Sequence, residues 1–435
     1  MDASATTTAA TIRRSRRGVP AAAWLRRMLR GVLATALACG IAQPAVAQSL
    51  SEVEAAALEH AQLLRLADTE GELAVQQLAA ARANEGARVT LGSALAQARE
   101  PITDTAARDY TRISGLGGLR WPLLGTAEAA ARDTEDATLR LEQQPWRHRQ
   151  AQAEVLGAVR DDWVVLLRGR ERQALARAWL QQEAPVGALL SGRTRAHLLL
   201  EADRLAFASM FDTARRDALR EAQAADRALV QLQRLTLLPL GDLRATAPGW
   251  STRCLRREDI LARTEERPLV AMAAMAVRAR ERQVDEVRWA GVEAGVTLSQ
   301  SLSHDFGALN GYATTVGVDV SMPLDWQAAR NAQRAQRRLA LDQARQALQA
   351  RRDDDATRVQ DVLATLALAE AQWRSAAQSL AAAREADRIA RLRAATLEGD
   401  VLEHAVQARY ALYRAGMEAS ESLQRYEQAQ GVPVS

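Results

Sequence analysis

Lysine is absent from this 435-residue sequence: all 57 basic residues are arginine, a bias with no functional reading of its own. Aromatic residues are scarce at 4% although hydrophobic residues reach 48%. That balance suits long helices better than a bulky globular core. The chain has only two cysteines, Cys39 and Cys254, which excludes a disulfide framework. No nucleophile and base stand in a catalytic arrangement, so no enzyme activity is expected, and no cofactor. His197 and His404 lack ligand-spaced partners, so no metal site is expected either. Long apolar runs are missing too: after residue 47 no stretch has the length of a membrane helix. If the mature chain crosses a bilayer, it must do so as a closed β-barrel.

Residues 1 to 47 read as a secretory signal peptide. An arginine-rich start is followed by the apolar run Gly31 to Ala42 and by the small-x-small site Ala45-Val46-Ala47. Ala36-Leu37-Ala38 is a poor lipobox for Cys39. Removing this segment takes seven arginines and one aspartate from a formal charge of +4 and leaves −2. The mature chain therefore lacks the basic surplus that a nucleic-acid partner requires. Cys254, left alone, reads as a sheltered residue rather than a reactive one.

What remains is said twice. "GYATTVGVDVSMPLDW" (311 to 326) alternates apolar and small or polar residues, stops at Pro323, and is followed by a run without Gly or Pro to Glu398. "YTRISGLGGLRWPLLG" (110 to 125) has the same plan. Val89-Thr90-Leu91 recurs as Val296-Thr297-Leu298, Tyr110 as Tyr312, and Pro122-Leu123 as Pro323-Leu324, at offsets of 207, 202 and 201. Such drift fits loop-length differences between two copies of one unit. Each copy reads as helix, strand, loop, strand, Pro, long helix, break, helix. The strands, of about 9 to 11 residues, carry a greasy face (Val292, Ala294, Val296, Leu298, Leu302) and a wet one. In the first copy Gly115, Gly117 and Gly118 blur the second strand.

The domain plan is a signal peptide (1–47), a first repeat (48–237) with a strand hairpin at about 88–122 and a helical tip at about 187–197, and a linker (238–256). A second repeat (257–430) follows, with a hairpin at about 290–323 and a tip at about 395–401, and then a tail (431–435). In the long second-copy helix, Val359, Val362, Leu366, Ala369, Trp373, Ala376 and Leu380 form a heptad seam. Pro145 is expected to kink or break its first-copy equivalent. Gly187, Gly192 and Gly399 are expected to supply the tip breaks.

Two hairpins supply four membrane strands, too few to close a barrel, so other subunits must complete it. In the order and duplication of these motifs the chain resembles the TolC-type outer-membrane channels of efflux and type I secretion systems. "SLSEVEAAALEHA" is similar to that family's first helix, with Ser51 and Glu54 placed for a capping box. "EERPLVAMAAMAVRARERQVDEVRW" is similar to its second-repeat opening, and Tyr312 to Leu324 to its strand running into Pro-Leu. The fold implied is mainly α with membrane β. Long antiparallel coiled-coil helices form a periplasmic α-barrel, and four transmembrane strands per protomer form a 12-stranded barrel in a homotrimer.

The resemblance also implies an outer-membrane location, a periplasmic adaptor protein and an inner-membrane transporter as partners, and passive transport. "GDVLEHA" is similar to the family's tip-helix start. Asp400 and Glu403 would there ring the threefold axis and narrow the pore, or else simply complement the helix dipole. Gly192, Thr194 and Gly399 would face the adaptor, with ordinary turn chemistry as the alternative. Trp121, Trp289, Tyr312 and Trp326, near the strand ends, would anchor at the membrane interfaces, contacting lipid. Two other readings fit the signal peptide and Ala-rich helices: a periplasmic adaptor of the membrane-fusion type, which should show one hairpin between β-rich halves, and a soluble coiled-coil scaffold.

Overall fold

In the computed structural model, which describes residues 49–103, 106–240, 247–248, 257–285, 289, 291–305, 311–396 and 401–432, the first helix starts at Ser49. The sequence offers two overlapping Ser-x-x-Glu boxes, and the chain uses the earlier one. Ser49 Oγ accepts from the Glu52 amide at 3.4 Å, and Glu52 Oε2 accepts from the Ser49 amide at 2.9 Å. The expected box of Ser51 and Glu54 does not form, because Glu54 accepts instead from Arg160 Nε at 2.7 Å. A reciprocal cap secures donors that the first helical turn otherwise leaves unpaired.

Helices α1 (Leu50–His60) and α2 (Gln62–Ala83) lead into strands β1 (Arg88–Thr103) and β2 (Ala106–Leu124). Helix α3 (Thr126–Leu180), α4 (Glu183–Arg195) and α5 (Glu201–Thr236) complete the first repeat. The second holds α6 (Arg257–Ala262), a 3-10 turn (Thr264–Glu266), α7 (Pro268–Asp285), β3 (Glu293–Asp305), β4 (Gly311–Ser321), α8 (Trp326–Thr396) and α9 (Val401–Gly431). The 71 residues of α8 make one helix about 105 Å long. No helix among the described residues is long and apolar enough to cross a membrane.

Several sequence expectations change. Pro145 lies inside α3 without breaking it. Gly187 and Gly192 lie inside α4, and the chain turns at residues 196–200, where His197 takes a left-handed φ of 58°. A glycine costs a helix only about 1 kcal/mol, which the buried Leu190 between them offsets by packing. Gly399 and Asp400, with the linker residues around Cys254, lie outside the described residues. Leu240, at the linker's start, is buried in the core of the first repeat.

Three strands are longer than the sequence implies, at 16, 19 and 13 residues, and β4 has the expected 11. Gly115, Gly117 and Gly118 pair continuously with β1, so they do not interrupt β2. Pro122 does not end β2 either: it sits where the register slips between Pro122 and Leu124, a position that needs no ladder donor.

One core cluster joins α1, the middle of α3 and the end of α5 around Trp163, Val159 and Leu232, all fully buried. A second joins the ends of α3, α4, α5 and α9. Along α8 the heptad seam is occupied as its spacing requires: Val359, Ala369 and Ala376 are buried, and Val362, Leu366, Trp373 and Leu380 are half-buried. Trp373 stacks on Tyr426 of α9, with centroids 5.3 Å apart.

Candidate channel wall and helical tip

The four strands form one antiparallel sheet in the order β1-β2-β3-β4, so the two copies meet where β2 pairs with β3. Among the described residues, both outer strands, β1 and β4, have one edge unpaired. Opposed residues share a face, and the register therefore sorts the side chains. One face carries Val89, Leu91 and Leu95 from β1, Ile113, Leu119 and Trp121 from β2, Leu298 and Leu302 from β3, and Tyr312, Val316, Val318 and Val320 from β4. All twelve are exposed, Leu91 by 84% and Tyr312 by 79%. The rows from Val320 to Leu95 run about 34 Å along the strands, or about 25 Å if these tilt as membrane strands do. That is the height of a bilayer-facing apolar band.

The opposite face is mostly small and polar, with Thr90, Ser114, Thr297, Ser299, Ser301, Ser303 and Thr315, apart from the exposed Leu116. Arg112 lies on this face toward the far end, and further charged groups lie at the helix end. Arg120 of β2 reaches across β3 to Asp319 of β4 at 2.6 Å. The bridge passes over Gly295, where a Cβ would lie 3.2 Å from Asp319 Oδ1 and 3.3 Å from Arg120 Nε. Sequence reading missed this pair because its partners lie 199 residues apart. Only the register brings them together.

Gly125, between β2 and α3, and Gly291, just before β3, take φ values of 65° and 83°. A Cβ on Gly125 would stand 2.7 Å from the Val292 carbonyl oxygen, so the first-copy turn is folded tightly onto the second-copy strand. Trp121 and the exposed Trp289 lie at this end of the sheet, with Trp326 at the start of α8, 5.8 Å beneath the Arg330 guanidinium. Tyr312 lies at the far end, beside Leu302.

At the other end of the helices, Trp179 of α3 stacks on Phe211 of α5 at 4.8 Å and on Tyr413 of α9 at 6.2 Å. Tyr413 donates its hydroxyl to the buried Asp217 of α5 at 2.9 Å. Burial first, and then this carboxylate acceptor, holds the phenol well above its ordinary pKa, so it stays protonated. Glu403, in the first turn of α9, faces Arg193 of α4 with 3.9 Å between charged atoms. Thr194 donates back to the Leu190 carbonyl at 3.0 Å, within its own helix. Leu199 is buried in the tip cluster, and Leu198 is exposed. Among the described residues no group of three or more metal-binding side chains is assembled.

No family profile and no curated protein sequence matches the chain. Solved structures do. A membrane protein from Pseudomonas aeruginosa superimposes with a TM-score of 0.71 at 17% identity, over 88% of this chain and 92% of that one. The outer membrane protein VceC of Vibrio cholerae gives 0.67 at 15%, over 88% and 96%. The MtrE outer membrane channel of Neisseria gonorrhoeae, in its open state, gives 0.63 at 17%, over 88% of each chain.

The chain has the TolC-type channel fold. In this fold the β2–β3 pairing and the α3–α9 packing tie the two repeats into one continuous structure. The TolC-type helices below the sheet are also fastened by charge. Arg168 of α3 forms a bidentate pair with Glu427 of α9, and Arg267 binds Asp355 of α8 at 2.5 Å.

Proposed function

We propose that three copies of the chain close a 12-stranded barrel in an outer membrane and continue below it as a periplasmic helical tunnel. The complex is a passive conduit for efflux or type I secretion, docked to a periplasmic adaptor and an inner-membrane transporter that supplies the energy. The observation that carries this reading is the sheet itself: among the described residues, four strands, two open edges and one apolar face that is largely exposed. In water such a face invites aggregation, and in lipid such edges leave backbone groups unpaired at several kcal/mol each. Joining sheets edge to edge with the apolar face outward removes both costs. The solved outer membrane channels with this fold support the same location.

Trp121, Trp289, Tyr312 and Trp326 then bracket the bilayer, and the tip around Gly192, Thr194 and Gly399 meets the adaptor. Asp400 and Glu403 stand at the tunnel's mouth. The test is fractionation: the mature protein should separate with outer membranes, require detergent and run as a trimer. A water-soluble periplasmic monomer overturns the proposal. In planar bilayers, D400A/E403A should raise conductance or alter ion selectivity, and unchanged single-channel behaviour returns both acids to a helix-capping role.

A further inference from the structure

The charged rim at the helix end of the polar sheet face is only half paired within one chain: of Arg88, Arg120, Asp319 and Glu293, only Arg120 and Asp319 meet. Arg88, the first residue of β1, lies opposite Arg120, a like-charged register pair that disfavours the sheet. Arg120 is taken by Asp319, whose Oδ1 is buried without a partner, and Arg88 has none among the described residues. Glu293, opposite Ser321 on the same face, is exposed and also without a partner among the described residues. The strand ends are ragged in a matching way. Arg88 is level with Arg120, Thr297 and Gly317, but β3 and β4 run four residues further toward the helices, to Glu293 and Ser321. Four strands about 4.8 Å apart and tilted by about 37° climb about 14 Å, or about four residues, per copy. Such a step makes the ends flush.

Building on the trimeric reading above, we propose that Arg88 on the β1 edge of one copy docks against the β4 edge of the next. It lies opposite Ser321 and reaches the Asp319 and Glu293 carboxylates. Two arginines then face two acids at each seam, and a charge-balanced belt of three seams sets the barrel's register. Ser321 is small enough for the guanidinium to pass over, as Gly295 is for Arg120.

The test is cross-linking in the full chain carrying C254A. After mild oxidation, R88C/S321C should give reducible dimers and trimers on denaturing gels, and neither single variant should. R88C/A313C, which samples the opposite four-residue step, should remain monomeric. R88E should lower the dissociation temperature of the trimer more than R88Q, and R88K should restore it. Cross-linking through Ala313 instead of Ser321, or equal trimer stability for R88E and wild type, overturns the inference. A monomeric wild-type protein in detergent refutes instead the trimeric reading on which it rests.

Discussion

Replacing Tyr413 by Phe tests whether the two repeats are locked together at the tip by one buried hydrogen bond. Asp217 is only 6% exposed, and three donors approach it: the Tyr413 hydroxyl at 2.9 Å, Arg414 at 3.4 Å and Arg220 at 3.5 Å. The side chains of Arg414 and Arg220 are 54% and 73% exposed, so water screens both charges. The short contact in the dry interior is therefore the phenol's. Hydrogen bonds to charged groups are worth about 1.5–3 kcal/mol, and removing this one leaves a buried carboxylate oxygen underpaired. The expected loss is about 2 kcal/mol of local stability, or roughly a thirtyfold rise in local opening.

Because Asp217 belongs to α5 and Tyr413 to α9, amide hydrogen exchange should quicken in both segments, around residues 207–217 and 406–417, and not in the distant half of α8. Exchange is the suitable measure because a membrane assembly seldom unfolds reversibly as a whole. Combining Y413F with D217N should cost less than the two changes added, with a coupling of about 1 kcal/mol or more. Additive effects, or protection lost in α5 alone, would refute the argument.

Asp162 on α3 is pushed up to about 6, by burial first and by the neighbouring Asp161 carboxylate second. The folded state thus binds this proton more tightly than the unfolded one, so the ionised group's penalty is full above pH about 6 and is relieved as the pH falls toward its ordinary value of 3.8. D162N should stabilise the helical portion by about 1–2 kcal/mol at pH 8 and much less at about pH 4, and equal gains at both would count against this account. G125A should cost about 2 kcal/mol or more, since φ is positive and the Val292 carbonyl blocks the new methyl; an unchanged unfolding temperature in detergent would refute it. S49A should cost about 1 kcal/mol and fray α1 first, seen as exchange at residues 50–53.

The sequence alone determined the repeat, the strand alternation and the α8 seam, because each is a local or periodic signal. Val359, Ala369 and Ala376 reach the core for the same reason that their spacing was visible: steps of three and four keep one helix face in contact. Where the signal was local but its setting was not, the reading slipped. Gly192 and Pro145 have breaking tendencies of about 1–3 kcal/mol, which long, packed helices override. The box read from the sequence, Ser51 with Glu54, gave way to Ser49 with Glu52, because Arg160 on another helix holds Glu54.

The tertiary structure alone decided what meets across the repeats: Arg120 with Asp319, Tyr413 with Asp217, and Glu403 with Arg193. Composition and periodicity say which face a residue is on. They say nothing of its partner some 200 residues away, which depends on the register of β2 against β3 and on how α9 lies along α3 and α5.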